Sequence, residues 1–186
     1  MADQSRLKQQ HDQCEEWKSQ ALKSPFVRFM VDAMTRSGCR VDERYFRCVP
    51  CVEQVGGGLY YDDKGHTSVV LCENRLVSQD QTTTASVHEL IHAFDHCRAE
   101  QDIHNLVHHA CTEIRAANLS GDCHWRREIS RGNFNLVKQH QNCVRRRAIL
   151  SVSMNPACSS EADAAAAVDT AWEVCFADTA PFERIP

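Results

Sequence analysis

Eleven cysteines restrict what this chain can fold into more than any other feature of the sequence. They are spread over 186 residues, at positions 14, 39, 48, 51, 72, 97, 111, 123, 143, 158 and 175. Three states are open to them, namely reduced thiols, several structural zinc sites, or a framework of disulfides. We favour disulfides because the cysteine content is far above that of an ordinary cytosolic protein. An odd count leaves one thiol over, and we expect it to be Cys158, in the loop of residues 155–160.

The segment Cys48-Val49-Pro50-Cys51 is the one CxxC motif in the sequence. A structural zinc site built from such motifs normally needs two of them. We therefore predict that Cys48 and Cys51 form disulfides with other segments. A redox pair and a zinc site are the alternatives.

The composition indicates a globular domain and gives no electrostatic reason to expect nucleic acid as a partner. The chain is 42% hydrophobic and 25% charged, with a net charge of -4. Residues 1–24 are polar, and we expect them to be an extension before a single domain of residues 25–186. The extension lacks the apolar core of a secretory signal and contains acids, which mitochondrial presequences avoid. We therefore expect no cleaved targeting segment, and disulfides that form in a compartment reached without one.

An amphipathic pattern predicts a helix that begins at Pro25. Ser24 is suited to the N-cap, and proline is suited to the first helical position. Apolar residues then recur at helical spacing until Gly38 stops the run: Phe26, Phe29, Met30, Ala33 and Met34. We expect this helix to face the core.

A hairpin is predicted in the middle of the first half of the chain. Residues 59–61 and 67–72 have the character of strands, and residues 62–65 form a turn between them. The edge of this hairpin near residues 69–71 is a candidate for binding an extended substrate as an added strand, although the same residues are equally compatible with an ordinary sheet core.

Helical patterns dominate the rest of the sequence. Beyond the hairpin and the motif helix described next, they cover approximately residues 103–119, 134–150 and 161–176. The predicted fold class is α+β, with a small antiparallel sheet packed on a mainly helical body.

The segment His88-Glu89-Leu90-Ile91-His92 is the motif that indicates chemistry. On a helix, the HExxH spacing places two imidazoles side by side on one face, where both can bind one zinc ion. The glutamate between them can then act on the water that attacks a peptide bond. This motif predicts a zinc peptidase in which Glu89 is the general base.

The residues around the motif fit an amphipathic helix. Four apolar side chains fall on one stripe: Val87, Leu90, Ile91 and Phe94. His88, His92 and Asp95 fall on a separate face, so the helix can pack and bind a metal at the same time. The alternative is that both histidines are merely exposed polar residues.

A zinc peptidase needs a third protein ligand, and Glu113 is our candidate. The metzincin pattern would place a histidine six residues after His92, where this chain has Arg98. Glu113 lies at the edge of the apolar stripe predicted for residues 103–119, where a carboxylate is costly unless it is paired. A metal ion would pair it, and the alternative is a salt bridge to a basic residue such as Arg115.

Other polar residues near the motif are weaker candidates. His96 continues the series to i+8, but it has rotated away from His88. Asp95 is better suited to fixing the orientation of an imidazole, and Asp102 is a less favoured ligand. We expect several further histidines to lie on the surface, among them His104, His108, His109, His124 and His140.

Two longer segments make the motif specific. They are HELIHAFDHCRA, residues 88–99, and CTEIRAANLSGDC, residues 111–123, and Pro181-Phe182 follows near the C-terminus. Together they resemble the family of mitochondrial metalloproteases that process the precursor of ATP synthase subunit 6. The resemblance spans about residues 25–186.

This resemblance implies a zincin-like, disulfide-stapled peptidase with Zn2+ as its cofactor. It implies a location in the mitochondrial intermembrane space, peripheral contact with the inner membrane, and import by an oxidative disulfide relay. The implied partners are the subunit 6 precursor and assembly intermediates of ATP synthase. His88, Glu89 and His92 match the family directly, whereas the ligand role of Glu113 is inferred from helix geometry. The even cysteine pattern of the family makes Cys158 an addition.

Two other functions compete with the zinc endopeptidase. One is a non-catalytic assembly chaperone for the membrane sector of ATP synthase, in which a zinc site is only structural. The other is a cysteine-rich domain in which the HExxH motif is fortuitous.

Overall fold

The computed structural model describes residues 2–42, 44–63, 65–134 and 137–186. The chain divides into two compact units, Met1–Arg98 and Ala99–Pro186. The fold class is α+β, as predicted, with helices in both units and strands in the first. The predicted division into an extension of residues 1–24 and one domain of residues 25–186 stays a prediction. None of the described helices combines the length and the apolar character needed to cross a membrane.

The first unit contains helices and a small sheet. Its elements are α1 (Ala2–Ala21), α2 (Pro25–Arg36), β1 (Phe46–Val49), β2 (Gly57–Tyr61), β3 (Thr67–Cys72) and α3 (Gln79–Arg98). Helix α3 contacts α1, α2 and strands β2 and β3, and α1 also contacts β1. The helix with the HExxH motif is therefore the element that most of this unit packs around.

Helix α2 is the predicted helix, with a correction to its buried face. The Ser24 side chain accepts a hydrogen bond from the backbone N–H of Val27, 3.3 Å away, as an N-cap should. The buried residues are Val27, Met30, Ala33 and Met34. Phe26 and Phe29, predicted to face the core, are 48% and 36% exposed. They lie at the rim because the buried stripe runs through Val27.

The sheet has the strand order β1-β3-β2. Strands β2 and β3 are antiparallel, with Gly57 opposite Leu71 and Tyr61 opposite Thr67, which confirms the predicted hairpin. Lys64, in the predicted turn, lies outside the described residues. Strand β1, which was not predicted, pairs with β3 in parallel, so the antiparallel hairpin is part of a mixed sheet. A strand of only four residues offers too short a pattern to predict from sequence.

Strand β3 is the central strand, which corrects one expectation. The backbone of residues 69–71 already pairs with β1 on one side and with β2 on the other. The prediction that this segment binds a substrate strand is therefore wrong, because no hydrogen-bonding edge remains there. Among the described residues, the edge strands are β1 and β2.

Disulfides staple each unit separately, which confirms the predicted framework. Among the described residues, which include every cysteine, the pairs are Cys14–Cys48, Cys39–Cys97, Cys51–Cys72, Cys111–Cys175 and Cys123–Cys143. The two cysteines of the CxxC motif bond to different segments, as predicted. Cys158 is the free thiol, also as predicted.

The second unit is helical where it is described. It contains α4 (Leu106–Leu119), α5 (Trp125–Ser130), α6 (Gln139–Ser153) and α7 (Glu161–Ala177). Helix α4 packs against α6 and α7 around a core in which alanine and valine predominate. Such small side chains let helix backbones approach closely.

The predicted helices of this unit are present, and their boundaries differ. The helix predicted from residue 103 begins at Leu106, because Asn105 caps it by accepting hydrogen bonds from two backbone N–H groups. The helix predicted for residues 134–150 begins at Gln139 and ends at Ser153. Residues 135 and 136 lie outside the described part of the chain.

Buried charges of the second unit are paired. Arg115 is 1% exposed, forms an ion pair with Asp178 at 2.7 Å, and donates to the carbonyl oxygens of Asp178 and Ala180. Asp122 and Glu128 are also buried, and their partners are Arg131, Arg146 and Arg147. Pairing offsets the cost of removing these charges from water.

Candidate metal centre

The two histidines of the HExxH motif lie side by side on α3. The ring centroids of His88 and His92 are 4.8 Å apart, and the ring planes cross at 76°. This is the i, i+4 arrangement in which two imidazoles can bind one metal ion. Both side chains are half-buried, and Glu89 between them is 7% exposed.

The opposite face of α3 anchors the helix in the first unit. The predicted apolar stripe is buried, with relative exposures from 0% to 6% for Val87, Leu90, Ile91 and Phe94. The disulfide between Cys97 and Cys39 fixes the C-terminal end of the helix. The histidines are therefore carried by a helix that packing and a covalent bond hold in place.

Glu89 lies against the edge strand β2. A Cβ atom on Gly57 would stand 3.4 Å from Cγ of Glu89, 3.6 Å from its Oε1 and 2.8 Å from the carbonyl oxygen of Val70. The last distance is too short for a side chain, so this position requires glycine. The missing side chain lets the strand pass close to the carboxylate.

Tyr61, at the other end of β2, also lies near the motif helix. Its ring centroid is 5.0 Å from that of His96, in an edge-to-face contact. Burial raises the pKa of Tyr61, and the negative charge of Glu89 raises this pKa further. His96 thus packs against a tyrosine of the sheet, in agreement with its rotation away from His88.

Glu113 lies on α4, in the second unit, and is 8% exposed. Its Oε1 is 3.3 Å from Nε2 of His109, one helical turn earlier. Arg115, the alternative partner considered from the sequence, forms its ion pair with Asp178. Residues two apart on a helix do not face each other, which accounts for the different partners.

One group of potential metal ligands occurs among the described residues, and it consists of His88, His92 and Glu113. A ligand atom of each residue lies within 4.8 Å of the corresponding atoms of the other two. Two imidazole nitrogens and one carboxylate oxygen are a donor set that suits a tetrahedral zinc ion with one open position. The chemistry of the residues therefore fits the implied metal.

Asp95 and Asp102, the weaker acidic candidates, are outside the group of three ligands found among the described residues. Asp95 is 2% exposed and accepts a hydrogen bond from Nε of Arg98 at 3.1 Å. Its predicted role as an acceptor for an imidazole stays a prediction. Asp102 is exposed in the loop before α4, where it accepts a hydrogen bond from the backbone of His104.

Two of the histidines predicted to lie on the surface are partly buried instead. The side chain of His109 is 13% exposed because it packs beside Glu113. His140 is half-buried, with Nε2 2.7 Å from Oδ1 of Asn118, and burial lowers its pKa. His109 precedes Glu113 by four residues, or about one helical turn, and this spacing could have predicted from the sequence that the two side chains meet. His104, His108 and His124 are exposed, as predicted.

Known proteins resemble this chain along most of its length. The peptidase M76 family matches residues 12–183. The mitochondrial inner membrane protease ATP23 of Malassezia globosa is 46% identical over 92% of this chain and 76% of its own length. The protein of that name from Saccharomyces cerevisiae is 43% identical over 96% of this chain and 81% of its own length.

A human relative gives the same result. The mitochondrial inner membrane protease ATP23 homolog of Homo sapiens is 47% identical over 88% of this chain and 65% of its own length. No solved structure shows significant similarity to the chain. The family match and the identities together show that this chain is a peptidase and belongs to the peptidase M76 family.

Proposed function

We propose that the chain is a zinc-dependent endopeptidase in which His88, His92 and Glu113 hold the metal and Glu89 is the general base. The observation that supports it most is the group of three ligand atoms within 4.8 Å of one another. A second support is the position of Glu89, which lies between the two histidines on α3 and beside Gly57.

The residues have separate roles in peptide hydrolysis. His88, His92 and Glu113 would hold the zinc ion, which when bound would supply Lewis acidity to the scissile carbonyl and to the attacking water. Glu89 accepts a proton from that water and passes it to the leaving amine. Burial of Glu89 among fixed neighbours limits the positions its carboxylate can adopt, which favours transfer at one defined place.

The free side of strand β2 is the better place for an extended substrate. Strand β2 pairs with β3 along Gly57–Tyr61 and is an edge strand of the described sheet. A peptide added to its free side would run past Gly57 and therefore past Glu89. Main-chain hydrogen bonds would then position the scissile bond without requiring a particular side chain.

The names of the relatives support a mitochondrial role. We propose that this chain works in the intermembrane space, in peripheral contact with the inner membrane, on the precursor of ATP synthase subunit 6. Five disulfides are compatible with import by an oxidative relay. The same protein would also assist assembly of the ATP synthase membrane sector.

Replacement of the general base tests this function. We expect both the wild type and Glu89→Gln to bind one zinc ion per chain, and Glu89→Gln to cleave a subunit 6 precursor peptide about 10² to 10⁴ times more slowly. The matched control is Glu73→Gln, because Glu73 is also a buried carboxylate of the first unit but pairs with His11. Unchanged cleavage by Glu89→Gln would remove Glu89 from the role of base.

The assembly role can be separated from cleavage in cells that lack the endogenous protease. If the Glu89→Gln variant restores ATP synthase assembly while the precursor stays uncleaved, the chaperone role is independent of hydrolysis. If the variant restores neither ATP synthase assembly nor precursor cleavage, the assembly role depends on peptidase activity. The result therefore decides whether the alternative function stands beside the enzymatic one.

A further inference from the structure

His109 is held between two polar partners on the second unit. Its Nδ1 is 2.9 Å from Nδ2 of Asn155, and its Nε2 is 3.3 Å from Oε1 of Glu113. The side chains of His109 and Glu113 are 13% and 10% exposed, and Asn155 is 6% exposed. Asn155, His109 and Glu113 therefore form a row of polar contacts that is largely shielded from water.

The other contacts of Asn155 show which of its side-chain atoms faces His109. Its Oδ1 accepts a hydrogen bond from the backbone N–H of Ala157 at 2.9 Å, and its Nδ2 donates to the carbonyl oxygen of Ile103 at 2.8 Å. The amide group that faces His109 is therefore the donor, and Nδ1 of the imidazole is the acceptor. The ring proton then sits on Nε2, which lies 3.3 Å from Oε1 of Glu113.

We propose that His109, oriented by Asn155, is a positioning residue that holds the carboxylate of Glu113 in place for the metal ion. This inference rests on the proposed function, in which Glu113 is the third ligand. A hydrogen bond to Oε1 restricts rotation of the carboxylate and leaves lone pairs of the same group for a cation. Partners of this kind around a metal ligand commonly contribute to affinity for the ion.

The chemistry of the donor distinguishes Glu113 from the structural carboxylates of the same unit. Asp122 and Glu128 form ion pairs with arginines, for example Asp122 with Arg131 at 2.6 Å. A guanidinium is permanently charged and would oppose a cation bound to the same carboxylate. A neutral imidazole donates a hydrogen bond without that repulsion, which suits a carboxylate that must also bind a metal.

Zinc affinity of purified variants tests the proposal without depending on activity. We expect His109→Ala to raise the zinc dissociation constant about 10-fold to 100-fold in competition with a chelator. His109→Gln should recover most of the affinity, because its side-chain amide can donate to Glu113. The matched control is His108→Ala, since His108 is exposed on the same turn of α4 and should leave the affinity unchanged.

The zinc affinity of His109→Ala is interpreted together with that of Glu113→Gln. If Glu113→Gln weakens zinc binding strongly but His109→Ala does not, the positioning role is overturned while Glu113 remains a ligand. If Glu113→Gln leaves zinc binding unchanged, the proposed ligand is wrong, and the inference is overturned with it. Loss of affinity in both variants, with recovery by His109→Gln, supports both proposals.

A measurement on the wild type keeps the proposal testable if His109→Ala fails to fold. Long-range proton–nitrogen NMR spectra report which nitrogen of an imidazole carries the proton. We expect His109 of the zinc-loaded protein to be the neutral tautomer with the proton on Nε2. A proton on Nδ1 alone would overturn the proposal, because Nε2 would then have no hydrogen to donate to Glu113.

Discussion

The two units of this chain stabilise small cores in different ways. The first unit packs a three-stranded sheet and two helices against α3, and three disulfides tie its segments together. The second unit packs helices through alanine and valine, and it has two disulfides and several ion pairs of arginine with buried carboxylates. The difference shows that covalent bonds support irregular segments in the first unit, whereas close helix packing dominates the second.

Buried carboxylates differ between the units in a related way. In the second unit, Glu128 is 1% exposed and forms ion pairs with Arg131 and Arg146. Its charge therefore stabilises the fold. In the first unit, Glu89 is buried beside the edge strand β2 and influences the pKa of Tyr61. Glu89, the proposed general base, therefore lies between its own helix and the strand next to it.

The largest expected effect comes from removing matched disulfides in the two units. Cys123–Cys143 and Cys51–Cys72 close segments of nearly equal length, with separations of 20 and 21 residues. Loop closure alone predicts a loss of about 3 kcal/mol for each. Cys123 and Cys143 are both 0% exposed in a packed core, whereas Cys51 of the other pair is only half-buried, so replacing Cys123 and Cys143 by alanine should cost ~1–2 kcal/mol more. Urea unfolding of the two double variants measures the difference, and equal losses would contradict the contrast between the units.

A smaller loss is expected when the buried arginine of the second unit is removed. Arg115→Met breaks the ion pair with Asp178 and the hydrogen bonds to the segment after α7, which should cost about 3 kcal/mol. Urea unfolding and limited proteolysis of the C-terminal segment check this result. Arg28→Met, on an exposed face of α2, is the control and should stay within ~0.5 kcal/mol of the wild type. An Arg115 variant of wild-type stability would show that this pair contributes nothing.

Adjacent glycines of β2 probe the environment of Glu89. Gly57→Ala places a Cβ close to Val70 and Glu89, whereas a Cβ at Gly58 meets nothing within 4 Å. We expect Gly57→Ala to lower kcat about tenfold, equivalent to ~1.4 kcal/mol, and Gly58→Ala to stay near the wild type. Steady-state cleavage of a precursor peptide measures both variants. Equal kcat values would mean that β2 does not position the general base.

The smallest expected effect is a pH dependence of stability. Burial lowers the pKa of His140 from the ordinary value of 6.5, so the unfolded chain binds this proton more readily than the folded one. Stability from this group is present above pH 6.5 and is lost as the pH falls through the lower folded pKa. His140→Gln should therefore unfold with a shallower pH dependence in the acidic range, as followed by thermal melts. Identical slopes would contradict the assignment.

The sequence predicted best what depends on neighbours along the chain. The HExxH stripe, the hairpin and the N-cap at Ser24 are local patterns, and the structure has all three. The pairing partners of Cys48 and Cys51 could not be identified, although the absence of a second CxxC motif indicated separate disulfides. Local periodicity carries no information about which distant segment a cysteine meets.

Contacts over long sequence distances explain most of the differences. His109 was expected on the surface, but Asn155, 46 residues later, covers one side of it. The need for glycine at position 57 has no local signal in the sequence, because the neighbour that requires it, Val70, is on another strand. Phe26 and Phe29 satisfied a helical pattern that was displaced by one residue from the buried face.

X-ray absorption of the zinc-loaded wild type tests the proposed metal site most directly. We expect one zinc ion per chain with nitrogen and oxygen ligands at about 2.0–2.2 Å, and an imidazole signal reduced in His92→Ala. A first shell of sulfur ligands at about 2.3 Å would place the metal on cysteines instead. That result, or a spectrum that His92→Ala leaves unchanged, would contradict a zinc site built on the α3 histidines.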